Sequence, residues 1–256
     1  MISGRGLGFT GGTLDKLESI PGYCVACSKE DIYKYIDDVG CCIVGQTREL
    51  NPADATLYAT RDITSTVDCI PLIAGSIVSK KAIEDLDSLV LDLKIGRASF
   101  LKTLEKAEQL GDYMINISKM LGIKAAVFIT NHDNPLGKTI GNQIEIEETI
   151  ECLHGNIPND LAELTAQFGG YLLYRTGLAK DMAEGASKII EKLKNGEALK
   201  IFKRMIIAQG VSQQVATELC DYRNYKIFGR QAKYVHVFKA NKSGFLGFFN
   251  LNRTLN

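Results

Sequence analysis

The stretch Ser3-Gly4-Arg5-Gly6-Leu7-Gly8-Phe9-Thr10-Gly11-Gly12-Thr13 packs five glycines and three hydroxyl residues in front of Leu14-Asp15-Lys16-Leu17-Glu18, which reads as a short helix. Glycines let a loop turn its backbone N–H groups toward one anion, and the positive end of the helix it feeds adds to the attraction. Phosphate is the natural candidate. The spacing matches neither the G-x-x-x-x-G-K-[ST] loop nor a G-x-G-x-x-G after a strand, so a flexible or close-packing glycine turn is the other reading. Cys24 and Cys27 form a C-x-x-C pair, but Cys41, Cys42, Cys69, Cys152 and Cys220 supply no second pair at zinc-ribbon spacing, and His132, His154 and His236 stand apart. Seven scattered cysteines, an odd number, read as free thiols.

The elements that must position these residues alternate between short apolar runs and longer amphipathic stretches. That is the pattern of α/β architecture, helices packed against a largely parallel sheet. Strands are expected at Cys41 to Val44, Leu89 to Leu93 and Ala125 to Thr130. Helices are expected at Lys29 to Asp37, Asp54 to Thr60, Thr66 to Leu86, Phe100 to Leu121, Ile144 to Leu153, Asp160 to Tyr174, Met182 to Leu193 and Ala198 to Ala208. Asn159 and Asp181 stand where N-caps belong, and Gly122 and Gly155 where C-caps belong. After about Tyr222 the pattern changes: Ala232 to Lys239 reads as a strand, 241–244 as a turn and Phe245 to Leu251 as a returning strand.

Thirty basic and thirty acidic residues cancel, so bulk charge recruits neither nucleic acid nor an anionic membrane, and any anion site must be local. No apolar stretch approaches the roughly 18 to 20 residues of a membrane span. With no basic-then-apolar leader, the chain reads as cytoplasmic.

The glycine-rich residues Ser3 to Gly8 with Thr10-Gly11-Gly12-Thr13 and Leu14 to Gly22 resemble the signature of the thymidine and pyrimidine-nucleoside phosphorylases. The similarity continues through Tyr58 to Asp68, Ile70 to Ile73, Ser76 to Lys81, Leu91 to Gly96, Pro135-Leu136-Gly137 and Gly141-Asn142, and more weakly to Ala208-Gln209-Gly210. The resemblance implies a nucleoside phosphorylase/phosphoribosyltransferase-like core over 1–222 and the start of a C-terminal α+β domain over 223–256. It implies phosphorolysis, in which inorganic phosphate attacks the sugar C1′ of thymidine or a related pyrimidine nucleoside, releasing the base and 2-deoxy-D-ribose 1-phosphate. Ser3 and Thr13 would then bind phosphate. Arg61, Ser76 and Lys80 would bind the pyrimidine, with Ile73 and Tyr58 lining the pocket. Ser76 and Lys80, four apart in a helical stretch, share a face with Ile73 one turn earlier, and Arg61 offers a planar fork for a carbonyl. The plainer readings are a solvated helix end for Lys80 and Lys81, and an ion pair with Asp62 or another carboxylate for Arg61. No cofactor is required; a potassium site at Leu136, Thr139 and Glu148 is the one metal the resemblance suggests.

The sequence also departs from the family pattern. The lysine-histidine-serine-threonine-glycine-glycine loop and the dimerisation helices that normally precede Ser3 are not in it, so the catalytic histidine is missing and the catalytic residue unknown. Phe9 stands where relatives commonly have histidine, and Arg97 interrupts a small-residue run. The expectation is a chain shortened at both ends with weak turnover and an uncertain form of the family's homodimer. The alternatives are a non-catalytic nucleoside-binding or dimer-partner protein, and a phosphoribosyltransferase of the anthranilate type.

Overall fold

The structure, a computed structural model, describes residues 1–6, 11–47, 49–66, 68–97, 99–229 and 232–243, and leaves out the side chains at 55, 58, 59 and 62. In chain order its elements are β1 (Ile2–Ser3), α1 (Thr13–Leu17), α2 (Lys29–Val39), β2 (Val44–Gly45), α3 (Pro52–Ile63), α4 (Ile70–Ala82), β3 (Ser88–Ile95) and α5 (Leu104–Met120). They continue with β4 (Lys124–Asn131), α6 (Asn142–Leu153), α7 (Asn159–Arg175), α8 (Met182–Lys194), α9 (Glu197–Ala208), α10 (Gln213–Cys220) and a 3-10 turn at Tyr225–Phe228. Among the described residues no helix is long and apolar enough to cross a membrane.

Local chemistry sets most of these boundaries. Ser28 and Asp31 cap α2 reciprocally, and Gly40 ends it at φ 92°. Asp181 caps α8 by accepting from the Glu184 amide at 2.8 Å, as expected. Asn159 does not cap: it is the first residue of α7, and Pro158 holds the cap position. Gly122 and Gly155 follow α5 and α6 with φ of 78° and 92°. The helix expected from Thr66 starts instead at Ile70, where Pro71 in the first turn gives up an amide that has no partner anyway. The one expected from Phe100 starts at Leu104, on the hydroxyl of Thr103.

Every strand pairing is parallel, as expected, but the described strands form two small sheets and not one large one. β3 and β4 pair in register from Ser88 opposite Lys124 to Ile95 opposite Asn131, with α5 as the crossover. The strand expected at Cys41 to Val44 contracts to β2, where Val44 and Gly45 pair with Ile2 and Ser3. At Ala232 to Lys239 no strand forms. Tyr234, Val235, Val237 and Phe238 are exposed, because the alternating pattern has no neighbouring strand among the described residues to bond with. Its expected return, Phe245 to Leu251, lies outside the described residues.

Two main cores result. One gathers α1, Ile20, Tyr23, Val25, α6, α9 and α10; the other packs α4 and α5 on one face of β3 and β4. On the opposite sheet face Phe128 meets Phe168 and Tyr171 of α7 edge-on at 5.1 and 5.7 Å. α7 and α8 cross backbone to backbone at Gly170 and Gly185. A Cβ on Gly185 would lie 2.4 Å from the Gly170 carbonyl oxygen. All seven cysteines are free thiols; Cys27, Cys42, Cys152 and Cys220 are buried, and burial pushes Cys27 up to about 11 and Cys220 up to about 12.

One buried side chain ties the first core to the segments that frame the site. Gln209, fully buried at the end of α9, accepts from the Tyr23 hydroxyl and the Ile43 amide at 3.0 Å each, and donates to the carbonyls of Ile43 at 2.8 Å and Cys24 at 3.2 Å. Its own carbonyl accepts from the Cys24 amide. Replacing Gln209 by Leu removes the acceptor of the part-buried Ile43 amide, while the Tyr23 hydroxyl keeps its bond to the Ile43 carbonyl, and should cost about 2 kcal/mol, read from the urea midpoint. Gly185→Ala should cost about 2 kcal/mol by forcing α7 and α8 apart.

Candidate functional site

β1 is held against α4 by two side chains from that helix's end. Glu84 Oε1 accepts from the Ile2 amide at 2.9 Å, while Lys81 Nζ donates to the Ile2 carbonyl at 3.0 Å and pairs with Glu84 at 2.5 Å. Lys81 is therefore a structural clamp and not a solvated helix end. Pairing with β2 then sets Ser3 beside Gly45. A cleft of about 400 Å³ opens there, with Ser3, Gly4, Arg5, Gly45, Gln46 and Thr47 among its lining residues.

Among the described residues, the two edges of the glycine-rich stretch meet one carboxylate. Asp15, in the first turn of α1, accepts from the Gly6 amide at 2.7 Å and the Gly12 amide at 2.8 Å with one oxygen, and from Arg5 at 3.0 Å with the other. Arg5 also holds both oxygens of Glu18. Hydrogen bonds from those two amides, then from Arg5, keep the Asp15 carboxyl below the usual carboxylate range despite some desolvation. Two amides at the described edges of the glycine-rich stretch thus already face an anion, the chain's own carboxylate. Thr13 is exposed at the first position of α1, while Phe9 lies outside the described residues.

Between them α3 and α4 assemble a second group. Lys80 Nζ lies 2.8 Å from both the carbonyl and the hydroxyl oxygen of Ser76, one turn earlier on the same face, and 2.6 Å from Asp54 Oδ2. Asp54 is buried, so desolvation alone would push its carboxyl up. Hydrogen bonds from Lys80 and Ser76, with the lysine's charge and a bond from Gln46, overcome that and hold it below the usual range. Gln46 Nε2 reaches Asp54 Oδ2 at 3.5 Å, so a residue lining the cleft touches the carboxylate that holds the lysine. Arg61 is 6% exposed and docks its guanidinium at the start of α4, with Nε directed to the Thr66 carbonyl and Nη1 to the Leu72 carbonyl at 3.4 Å each. Ile73 is half-buried against the core beneath α4. The side chain of Tyr58 lies outside the described residues.

Thr139 and Glu148 do meet. Glu148 accepts from the amides of Lys138 and Thr139 at 2.8 and 3.0 Å and from the Thr139 hydroxyl at 2.5 Å, while Leu136 is 39% exposed nearby in the chain. Those donors hold the carboxylate across a turn, and no chemical step is routed through potassium. No group of three or more metal-ligating side chains forms among the described residues.

A model of the glycosyl transferase family, a/b domain, matches residues 1–199. The chain belongs to that family. It is similar to the thymidine phosphorylases of Rattus norvegicus and Homo sapiens, 48% identical over 220 residues, which covers 86% of this chain and 46% of each relative. It is also similar to the pyrimidine-nucleoside phosphorylase of Staphylococcus haemolyticus, 43% identical over 245 residues, covering 95% of this chain and 54% of the relative. The chain spans about half the length of the curated relatives it matches.

Within this glycosyl transferase a/b domain, sequence reasoning found Ser76 and Lys80 and missed the residues that hold them. Asp54 stands 26 positions before Lys80, and only the packing of α3 on α4 brings the two together, so no spacing rule signals the pair. Asp15 was legible as an acid in a first turn and nothing more.

Because the folded Asp15 carboxyl is depressed, its stabilisation is complete above the unfolded value of about 4 and is lost as pH falls below it. Asp15→Asn should therefore flatten the acid limb of a pH–stability curve and speed hydrogen exchange at Gly6 and Gly12. Unchanged exchange at both amides would show that the carboxylate does not hold them.

Proposed function

We propose that this glycosyl transferase a/b domain carries the pyrimidine-nucleoside phosphorolysis for which its relatives are named: phosphate and thymidine give thymine and 2-deoxy-D-ribose 1-phosphate. The observation that carries the reading is the pairing of Ser76 and Lys80 on one face of α4, linked through Asp54 and Gln46 to the cleft that Ser3 lines, with the buried guanidinium of Arg61 directed to the Leu72 carbonyl of the same helix. In the reaction a phosphate oxygen bonds to C1′ while the C1′–N bond breaks and its electron pair leaves with the ring. Charge then builds on the pyrimidine oxygens, where a cationic donor stabilises the transition state more than the ground state. Arg61 supplies that charge, while Lys80 donates a hydrogen bond to a ring carbonyl and Ser76 orients the ring edge. Ser3 and Thr13 hold the phosphate. The displacement moves no electrons to or from a carrier, so no redox cofactor enters.

The proposed setting is the cytoplasm, with a pyrimidine nucleoside and inorganic phosphate as partners and a homodimer as the assembled form. Residues 1–222 form the catalytic core, and 223–256 begin a further domain.

Calorimetry on the purified chain tests the reading. Thymine should bind, phosphate should strengthen that binding, and Lys80→Met should weaken it by about 1.5 to 3 kcal/mol, the worth of a charged hydrogen bond. Thymine binding indifferent to phosphate would instead make the chain a base-binding module, and no binding of thymine under either condition would end the proposal.

A further inference from the structure

Lys80 reaches its site already saturated. An ammonium group has three N–H donors, and Nζ of Lys80 has three acceptors in range: Asp54 Oδ2 at 2.6 Å, the Ser76 carbonyl at 2.8 Å and the Ser76 hydroxyl at 2.8 Å. Of these partners Asp54 is the one that carries charge. It is also the more deeply placed, its side chain 7% exposed against 23% for the lysine. The carboxylate is held from several sides, by the Ser76 hydroxyl, by Gln46, and through its own amide, which is directed to Asn51 Oδ1 at 3.4 Å. Asn51 in turn reaches the Ser79 hydroxyl on α4 at 3.4 Å. The arrangement is thus braced on α3, on α4 and on the segment that follows β2.

Two consequences follow from elementary electrostatics. A lysine pinned at three points has its four-carbon stem fixed before any ligand arrives, which removes the ordering cost a free lysine would add on binding. A lysine paired with a buried carboxylate also presents little net charge. It can donate a hydrogen bond to a neutral carbonyl by giving up one contact to Ser76. It does not attract an anion strongly, because the Asp54 charge lies within a few ångströms of wherever that anion would sit. Without the carboxylate, a half-buried ammonium next to a phosphate-using cleft would be a second anion site in competition with the first.

We propose that Asp54 is the positioning and selectivity residue of this site: it fixes Lys80 and cancels its charge, so that the α3–α4 side accepts an uncharged pyrimidine and rejects anions. The inference rests on the reading of Ser76 and Lys80 as the pyrimidine side. Gln46 is the connector through which the carboxylate touches the cleft.

Two measurements on the full chain test it, with Asp54→Asn, Asp54→Glu and Ser76→Ala for comparison. The first is acylation of lysines by acetic anhydride, resolved by peptide mass spectrometry with exposed Lys192 as the internal reference. Lys80 should react slowly in the parent chain, in Asp54→Glu and in Ser76→Ala, and faster in Asp54→Asn by about tenfold, the loss of one hydrogen bond between charged groups. Equal rates in the parent chain and Asp54→Asn overturn the proposal. If Lys81 accelerates in Asp54→Asn as well, the fold has loosened and Ser76→Ala decides: retained protection of Lys80 upholds Asp54 as the holder, and lost protection overturns it. The second measurement is calorimetric titration with uracil and with orotate, the same ring bearing a carboxylate. The parent chain should prefer uracil, and Asp54→Asn should shift the ratio toward orotate by about the same factor. An unshifted ratio overturns the selectivity claim. An acylation change with neither pyrimidine binding to any form upholds the lysine clamp and sinks the proposed function, so the two failures are told apart.

Discussion

A side-chain amide has two donor positions and two acceptor lone pairs, and Gln209 uses all four inside the protein. The rest of the site depends on that satisfaction. Gln209 fixes Cys24 and Ile43, the roots of two segments that run side by side, with the Gly45 amide donating to the Val25 carbonyl at 2.8 Å. Those segments present β2, β2 pairs with β1, and β1 carries Ser3. A helix end more than 160 residues away in sequence therefore sets where the first strand can lie. The network is fully paired, which is the condition under which buried polarity specifies one arrangement and does not merely tax stability.

Charge is compensated locally throughout this region. Arg5 meets Asp15 and Glu18, Lys81 meets Glu84, and Lys80 meets Asp54. The zero net charge of the chain is thus mirrored at the scale of the site, where each of these cations already has an intramolecular partner. The exposed pairs of Arg5 contribute little to stability. Their weight lies in geometry: each sets the starting position of a group that a ligand would otherwise have to organise.

Much of the fold was legible because its signals are local. The apolar runs of β3 and β4 bracket an amphipathic helix, and the capping acids and glycines mark most ends. What escaped depends on tertiary context. α10 is short and contains Val215 and Thr217, poor helix formers, yet it forms because Ala216, Leu219 and Cys220 bury against the first core. The strand read at 232–239 failed for the opposite reason, since a strand requires a neighbour that alternation cannot supply. At the site, Ser76 and Lys80 were singled out by resemblance to the phosphorylases, and their four-residue spacing says that they share a helical face. Asp54 and Gln46 were not, because nothing in one dimension says that α3 leans on α4. The glycine-rich stretch left an anion cradle and a plain turn open, and the Asp15 carboxylate that meets the Gly6 and Gly12 amides was not foreseen, since in one dimension it is an ordinary first-turn acid.

The burial of Cys27, Cys42, Cys152 and Cys220 has a different kind of consequence. A thiol reacts as its thiolate, and burial both hides these sulfurs and discourages their ionisation. Cys24 and Cys69 lie on the surface, so the seven sulfurs form a graded series spread across the chain. Each interior sulfur can meet a small electrophile only when its surroundings part. The molecule carries its own set of clocks: the order in which these sulfurs are consumed records the order in which its parts breathe.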